Sequence, residues 1–365
     1  YVFDGYYKIS VKITDIRTNA SGWDIKPFLK LADEIHTEYD APFDYSSAVN
    51  TLTDDNPGGT TPFDELSVTW NYPGNQQGTF NSFPTDYDLE WAWVDKTAED
   101  NYKTSSNWDP AKIFYNNTTR VTVPISQNSY KIPLFYDAEG WLFYRVRPIQ
   151  RKKDGQIVAG NWSISIAEGA GLYHLLAGHE STLNWQVSTT YAEDGKRKTV
   201  IQYFDGTLRG RQTVTKDNSQ ETPTTVVAET LYDYQGRPTI QILPSPTLNN
   251  VISFTRNFNN ADGQTGYPKE LYDLLQTGQA ICGSAAQPLD KNPVQNGASG
   301  AGNYYSPLNP NVNDGYNKFI PDANGYAFAE TRYTQDATGR VMAQSGVGQS
   351  FQLGSGHETK YFYAA

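Results

Sequence analysis

One stretch constrains the fold more than any other: Glu229-Thr-Leu-Tyr-Asp-Tyr-Gln-Gly-Arg-Pro-Thr-Ile240. It reads as a strand, a tight turn and a returning strand. The chain writes it again as Glu330-Thr-Arg-Tyr-Thr-Gln-Asp-Ala-Thr-Gly-Arg-Val341. Both copies keep Glu-Thr-x-Tyr, an Asp in the turn, and Gly-Arg before a new apolar strand. The candidate functional residues are those of the turns: Tyr232, Asp233, Gly236 and Arg237 in one copy, Tyr333, Asp336, Gly339 and Arg340 in the other. Gly supplies the positive φ that a hairpin or bulge needs. Asp caps the turn with its side chain. Tyr stacks on the neighbouring strand while its hydroxyl is satisfied at the surface. Such residues build a surface or shell and point away from a catalytic pocket.

The same unit (Tyr, an acidic turn, Gly, then commonly Arg) is expected around Tyr191, Tyr203, Tyr232 and Tyr333, with Gly210-Arg211 as a looser match. Residues 244–322 interrupt the rhythm with Asn, Gly and Pro. Within them Pro268-Lys-Glu-Leu-Tyr-Asp-Leu-Leu-Gln276 predicts a helix, opened by Pro and stopped by Gly278. Composition agrees with β structure. Only 19% of residues are charged, 14% are aromatic and 26 are Tyr, which suits half-buried pleated surfaces.

All eight Trp lie at or before Trp185, which marks a domain shift. Tyr6 to Ile16 alternates as a strand with one buried face. Residues 25–39 fit a helix or a strand, and Asp54-Asp-Asn-Pro-Gly-Gly59 and Pro73-Gly74 are turns. Leu66-Ser-Val-Thr-Trp70 is a short strand. Tyr87 to Val94 places Leu89, Trp91 and Trp93 on one face and Asp88, Glu90 and Ala92 on the other. Arg120-Val-Thr-Val123, Ser129-Tyr-Lys-Ile-Pro133 and Gly140-Trp-Leu-Phe-Tyr-Arg-Val-Arg-Pro148 follow at short intervals, then Gly160-Asn-Trp-Ser163. Short strands with turn-rich gaps predict a sandwich. Tyr-Arg-Val-Arg, a hairpin and Gly-Asn-Trp-Ser resemble the late strands of a fibronectin type III-like domain, a resemblance that covers roughly residues 65–165. It implies a spacer or binding module and no activity.

The Tyr-Asp-Tyr-Gln-Gly-Arg-Pro and Tyr-Thr-Gln-Asp-Ala-Thr-Gly-Arg-Val units resemble the YD repeats of Rhs proteins, over roughly residues 185–365. The resemblance implies a β-sheet that spirals into a hollow shell, enclosing a C-terminal toxin in bacterial members and supporting adhesion in animal relatives. No Asp-Pro-x-Gly self-cleavage motif is present in this stretch. The expected fold class is mainly β: sandwich modules, then the start of a YD-repeat shell with a loop-rich, partly helical insertion. The expected division is a β-rich segment at 1–64, the sandwich at 65–165, a connector at 166–187 and the repeat region at 188–365, interrupted at 244–322. The expected role is non-enzymatic, structural or encapsulating, in a large exported protein, secreted or on a bacterial cell surface, with type IX secretion as a route. The alternative is a cell-surface adhesin or glycan-binding module built on the Trp-rich sandwich. No cofactor is expected. Expected partners are the rest of the same polypeptide, its shell and effector, together with secretion or surface-attachment proteins.

Other readings follow from charge and cysteine. A net charge of −11 argues against nucleic acid as a partner, because phosphate binding needs clustered Lys and Arg. The basic run Arg151-Lys152-Lys153 reads as a hairpin tip. No apolar run reaches membrane-spanning length. A single cysteine, Cys282, forbids an intrachain disulfide and reads as buried filler. Asn19, Asn117 and Asn161 match the glycosylation pattern, as an Asn-rich chain does by chance. The chain starts at Tyr1 without Met and stops in a strand-like pattern, so it is expected to be a piece of a longer protein.

Several groups carry side chains suited to chemistry. His174 and His179, with Glu180, have a spacing of five, off the helical zinc spacing, and read as connector residues. Asn309 to Gly315 echoes a calcium loop without its acids and reads as a turn. Asp54 and Asp55 could help hold calcium. Asp86, Asp88 and Glu90 could serve as a glycosidase pair, but a solvated edge is the expectation. Ser355, His357 and Glu358 form no triad. Trp91, Trp93, Trp108 and Trp141 are core packing or a sugar-stacking platform.

Overall fold

The computed structural model describes Val2, Phe3, Tyr6, Tyr7, Tyr45, Val49 and residues 51–54, 64–72, 84–104, 106–152, 154–163, 171–219, 223–247, 250–273, 286–292 and 300–364. The protein is mainly β, built from antiparallel sheets with few helices. Of the expected strand at 6–16, only Tyr6 and Tyr7 are described. Residues 25–39, Asp55, the Pro73-Gly74 turn, Lys153, Gly278 and Cys282 lie outside the described residues.

The chain divides into two compact units, one within residues 1–57, 67–131 and 141–173, the other within 58–66, 132–140 and 174–365. The second unit thus takes two segments from the neighbourhood of the expected sandwich and begins its main run at 174, inside the expected connector.

In chain order the early strands are β1 (Val2–Phe3), β2 (Tyr6–Tyr7), β3 (Thr51–Asp54), β4 (Glu65–Asn71), β5 (Asp86–Asp95), β6 (Lys103–Thr104), β7 (Asn107–Trp108), β8 (Thr118–Pro124), β9 (Ser129–Pro133), β10 (Gly140–Arg151), β11 (Ile157–Ala159) and β12 (Leu172–Leu175). β3-β4-β9 form one sheet, and β11-β10-β5-β8 form another, with β12 pairing β10. Alternation decides which side chains face the sandwich interior. On β5 these are Tyr87, Leu89 and Trp91; on β8, Val121 and Val123; on β10, Leu142, Tyr144 and Val146, all buried. Trp70 of β4 meets Tyr87 edge-on at 5.5 Å, and Trp91 lies 6.0 Å from Tyr130 of β9. These ring contacts join the two sheets. β5 is also covered on its outer face. Helix α2 (Pro110–Asn116), which follows the single turn of α1 (Glu99–Tyr102), lies there, capped by Asp109, whose carboxylate accepts from Ala111 N at 3.0 Å, with Pro110 opening it. Its Ile113 and Phe114 pack on Ala92, Val94 and Phe143.

The second unit is an eight-stranded antiparallel meander: β13 (Asn184–Tyr191), β14 (Arg197–Phe204), β15 (Gly210–Asp217), β16 (Thr224–Tyr232), β17 (Pro238–Pro246), β18 (Phe328–Tyr333), β19 (Val341–Gln344) and β20 (Thr359–Lys360). Each strand pairs with its successor, through short hairpins except between β17 and β18 and between β19 and β20, where longer segments intervene. One face carries Ile201, Tyr203, Val214 and Val227, then Ile240, Ile242 and Phe328. Residues between β17 and β18 cover that face, with Ile252 and Phe258 over the first group and Tyr272, Ala286 and Leu289 over the second.

The helix expected at 268–276 is not an α-helix in its described part. Pro268 opens a short 3-10 turn, Lys269–Leu271, and Tyr272 leaves helical geometry at φ −136°. The cause is tertiary. Tyr272 turns into the core, and its hydroxyl donates to the Tyr232 carbonyl at 3.1 Å. Elsewhere this segment holds helix α3 (Ala301–Tyr304) and a 3-10 turn at Asn317–Phe319.

Candidate functional site

The β16–β17 hairpin turns on five residues, Asp233 to Arg237. Asp233 N donates to Arg237 O at 2.9 Å, and Gly236 N donates to Asp233 O at 2.9 Å. The Asp233 carboxylate accepts from Gln235 N at 3.0 Å and Arg237 N at 2.8 Å through one oxygen, and from Arg237 Nε at 2.7 Å through the other. Gly236 adopts φ +78°. This is a turn closed by a left-handed residue, with the strand bulged where Leu231 gives way to Tyr232. A side chain at Gly236 would be strained and would press on the Arg209 guanidinium.

The β14–β15 hairpin repeats this geometry with almost no sequence likeness. Asp205 N donates to Arg209 O at 3.0 Å, Leu208 N donates to Asp205 O at 2.9 Å, and the Asp205 carboxylate accepts from Thr207 N and Arg209 N at 2.9 and 3.1 Å. The left-handed position is Leu208, at φ +59°. The equivalent of Gly236-Arg237 is therefore Leu208-Arg209. The expectation that Gly210-Arg211 holds this place is corrected: Gly210 already begins the returning strand, opposite Phe204. Phe204, and not Tyr203, holds the place of Tyr232; Tyr203 points into the core.

The β18–β19 turn is longer. Thr334 N donates to Arg340 O at 2.8 Å, and Asp336 accepts from the Thr334 and Thr338 hydroxyls at 2.6 and 2.7 Å. These bonds, that of Thr334 foremost, hold the exposed Asp336 carboxyl down at about 2. Ala337 and Gly339 are both left-handed. A bulge again precedes the turn, between Arg332 and Tyr333.

The three turns are tied to one another by a repeated contact. The Tyr232 hydroxyl donates to Gly210 O at 2.8 Å, Tyr333 to Pro238 O at 2.8 Å, and Tyr363 to Val341 O at 2.9 Å. Each acceptor is the residue just after the turn arginine of the preceding hairpin. Those arginines lie by the same rings: Arg209 at 6.0 Å from Tyr232, Arg237 at 4.4 Å from Tyr333 and Arg340 at 5.2 Å from Tyr363. Asp233 and Arg237 pair at 2.7 Å, so one arginine both closes its turn and covers the next tyrosine. The eight residues expected from the repeats thus fall on two such turns of one sheet. Sequence reading placed an acidic turn at Asp205, after Tyr203, but missed Leu208 and Arg209, whose only signal was Asp four residues before Arg, and missed Tyr363.

The Glu residues that open the two motifs act on the other face. Glu229 accepts from Gln212 Nε2 at 2.7 Å and Asn259 Nδ2 at 2.7 Å; Glu330 accepts from Ala286 N at 3.0 Å and Arg332 Nε at 2.8 Å. Burial pushes both carboxyls above their ordinary range. Further acceptors hold the same covering segment. Asp64 takes Ile252 N at 2.9 Å, Glu180 takes Phe254 N at 3.0 Å and Gln212 takes Thr255 N at 2.9 Å. Asp64 and Glu65 also pair with Lys216 at 2.8 Å, and Glu65 with Arg197, whose burial lowers it to about 10.

The remaining candidates separate clearly. Asp88 and Glu90 are not a solvated edge, as expected, but 6% and 1% exposed. Arg147 pairs with Asp88 at 2.8 Å, and Arg120 pairs with Glu90 at 2.6 Å, as does Arg145. Trp162, from the Gly-Asn-Trp-Ser stretch, covers these arginines at 5.3, 4.4 and 4.4 Å. The alternation on β5 was read correctly, but a strand central to a covered sheet has no solvated face. Asp88 and Glu90 thus lie in ion pairs with arginine, and Asp88 also accepts from the Thr122 hydroxyl at 3.1 Å.

His174 meets Glu139 at 3.1 Å. His179 is buried between Phe135 and Trp185, 3.1 Å from the Tyr203 hydroxyl, with its pKa lowered by burial. Among the described residues no three His, Cys, Asp or Glu gather as a metal site. Asn309 to Asn317 is a run of turns, with Val312 N on Asn309 O and Asn317 N on Asp314 O. Ser355 accepts from His357 N, and the His357 ring meets Ser350 O. Trp91 is buried, while Trp93, Trp108 and Trp141 are half-buried, Trp108 against Phe143 at 4.8 Å. No described tryptophan is exposed.

Residues 180–280 match a family described as a domain of unknown function (DUF6443). The match spans the first two turns of the ladder and the start of the covering segment. No curated protein matches the chain.

Proposed function

We propose that this chain is a non-enzymatic wall-building part of a large exported Rhs/YD-repeat protein, which shields or presents an effector carried elsewhere in the same polypeptide at or beyond the bacterial surface. The observation that carries the reading is the tie from Tyr232, Tyr333 and Tyr363 to the carbonyls of the preceding hairpins, each with a turn arginine by its ring. The contact repeats from hairpin to hairpin and engages no substrate-sized cleft, which is what a wall needs and an active site does not. The pair of antiparallel sheets of the first region, of five and three strands, supports a spacer similar to fibronectin type III.

The test uses the intact native polypeptide that contains this chain. It is treated with protease before and after Asp233→Ala, Arg237→Ala and Tyr333→Phe are combined. The wall reading expects an effector segment protected in the native protein and cut in the variant. An effector segment cut equally fast in both overturns it. Turnover of a polysaccharide, peptide or nucleic-acid substrate by the purified chain would overturn the non-enzymatic part separately.

A further inference from the structure

A cavity of about 560 Å³ lies in the second unit, between the paired ends of β16 and β17 and the loop that follows α3. Its floor is Val226, Pro244 and Pro246, and its facing wall carries Tyr304, Tyr305 and Asn311. The size lies in the range of small-molecule sites. Asn250, Asn309, Asn317, Thr224 and Thr247 complete the polar lining, and among the described residues no Asp, Glu, Lys, Arg or His contributes. Asp314 and Lys318, on the same loop, do not line it.

The walls are held in place. Tyr305 donates to Pro244 O at 2.9 Å and packs edge-on against Tyr304 at 5.0 Å. Asn309 donates to Tyr304 O at 3.1 Å and accepts from Asn311 N at 3.0 Å, while Asn317 donates to Asn311 O at 3.0 Å. Asn250 stands at φ +52°, and its side-chain Oδ1 accepts from Thr225 N at 3.3 Å. A pocket braced this way loses little freedom when filled. Beside it the same loop exposes Tyr316 and Phe319, 88% and 71% accessible.

We propose that this cavity binds a neutral carbohydrate. An ionic ligand would enter without a counter-charge, which is costly in a partly enclosed site. A wholly apolar ligand would strip water from the polar atoms that this bracing leaves over, the Asn311 side-chain amide, Asn250 Nδ2 and Asn317 Oδ1. A sugar fits both constraints. Its C–H face packs on aromatic rings, and its hydroxyls each donate and accept, as an asparagine amide does. The exposed Tyr316 and Phe319 extend the aromatic surface along a longer chain. The inference stands apart from the wall reading and from the half-buried tryptophans of the first unit.

Affinity electrophoresis of the purified chain through gels containing a β-glucan, an α-mannan, a galactan or anionic alginate tests it. A proline-rich peptide, which also docks on Tyr- and Pro-lined grooves, is titrated in parallel. The expected result is retardation by at least one neutral polysaccharide. Tyr304→Ala should weaken it tenfold or more and the exposed Asn311→Ala several-fold, with Tyr115→Ala on the first unit unchanged. Asn311→Ala keeps the test decisive if Tyr304→Ala fails to fold. No retardation by any neutral polysaccharide, retardation by alginate alone, binding of the peptide alone, or retardation unaltered by Asn311→Ala would each overturn it.

Discussion

At the residue scale, the left-handed position of each turn sets what can stand there. Gly236 and Leu208 occupy the same place at φ +78° and +59°. A left-handed L-residue costs roughly 1–2 kcal/mol, so Gly236→Ala should lower stability by about that much, read as a fall in the urea midpoint. Leu208 is 74% exposed and has little packing to lose. Leu208→Gly should therefore raise the midpoint, by a net of up to about 1 kcal/mol once the greater freedom of glycine in the unfolded chain is set against the relief. A fall on Leu208→Gly would show that position to be unstrained. The buried carboxyls of Glu229 and Glu330 give a pH prediction. Their folded pKa values lie above the unfolded ones because burial disfavours the charge. Their contribution favours folding below the unfolded carboxylate range and is lost as pH rises through the raised values. Glu229→Gln removes one such titration. Its stability relative to the parent chain should rise as pH climbs from acid towards neutral, measured by urea unfolding at several pH values; an unchanging difference would count against the burial argument.

At the scale of the element, the hairpin is the unit, and its parts were unequally visible in the sequence. The motif Tyr232 to Pro238 was legible because Gly236 and Asp233 are the residues that turn chemistry demands. The turn at Asp205 was only partly legible, because Leu208 takes a conformation that sequence rules reserve for glycine. The strand alternation of β5 was plain, yet the fate of Asp88 and Glu90 was not. Whether a polar face meets water or three arginines depends on β8 and β10 and on Trp162, all distant in sequence. The helix at Pro268 failed for a similar reason, since Tyr272 is drawn to the sheet. The tie between hairpins makes its own prediction. A double-mutant cycle on Arg237→Ala and Tyr333→Leu, which removes the ring, should give a coupling of about 0.5–1 kcal/mol in urea unfolding, as expected for a cation near an aromatic ring. Additive effects would mean that ring and guanidinium merely coexist.

At the scale of the whole molecule, the second unit is a meander covered on one face by its own long connection. That cover is stitched down by acceptors from several strands and segments: Asp64, Glu180, Gln212, Glu229 and Glu330. Glu180→Ala should remove hydrogen-exchange protection from the Phe254 amide and its neighbours while the paired strands β14 to β16 keep theirs. Loss of protection throughout the sheet would show that cover and sheet open together as one cooperative body.

The ties between hairpins join neighbours in space and are indifferent to the length of chain between them. The three tyrosine hydroxyls reach back across 22, 95 and 22 residues, yet the bonds are 2.8, 2.8 and 2.9 Å. Loop-closure entropy grows only as the logarithm of length, about 0.6 kcal/mol for each doubling. A lineage could therefore lengthen, shorten or replace the segment between β17 and β18 while the seam beside it stays sealed. The tyrosine-lined cavity opens in that segment, where new chemistry can be written without redrafting the sheet.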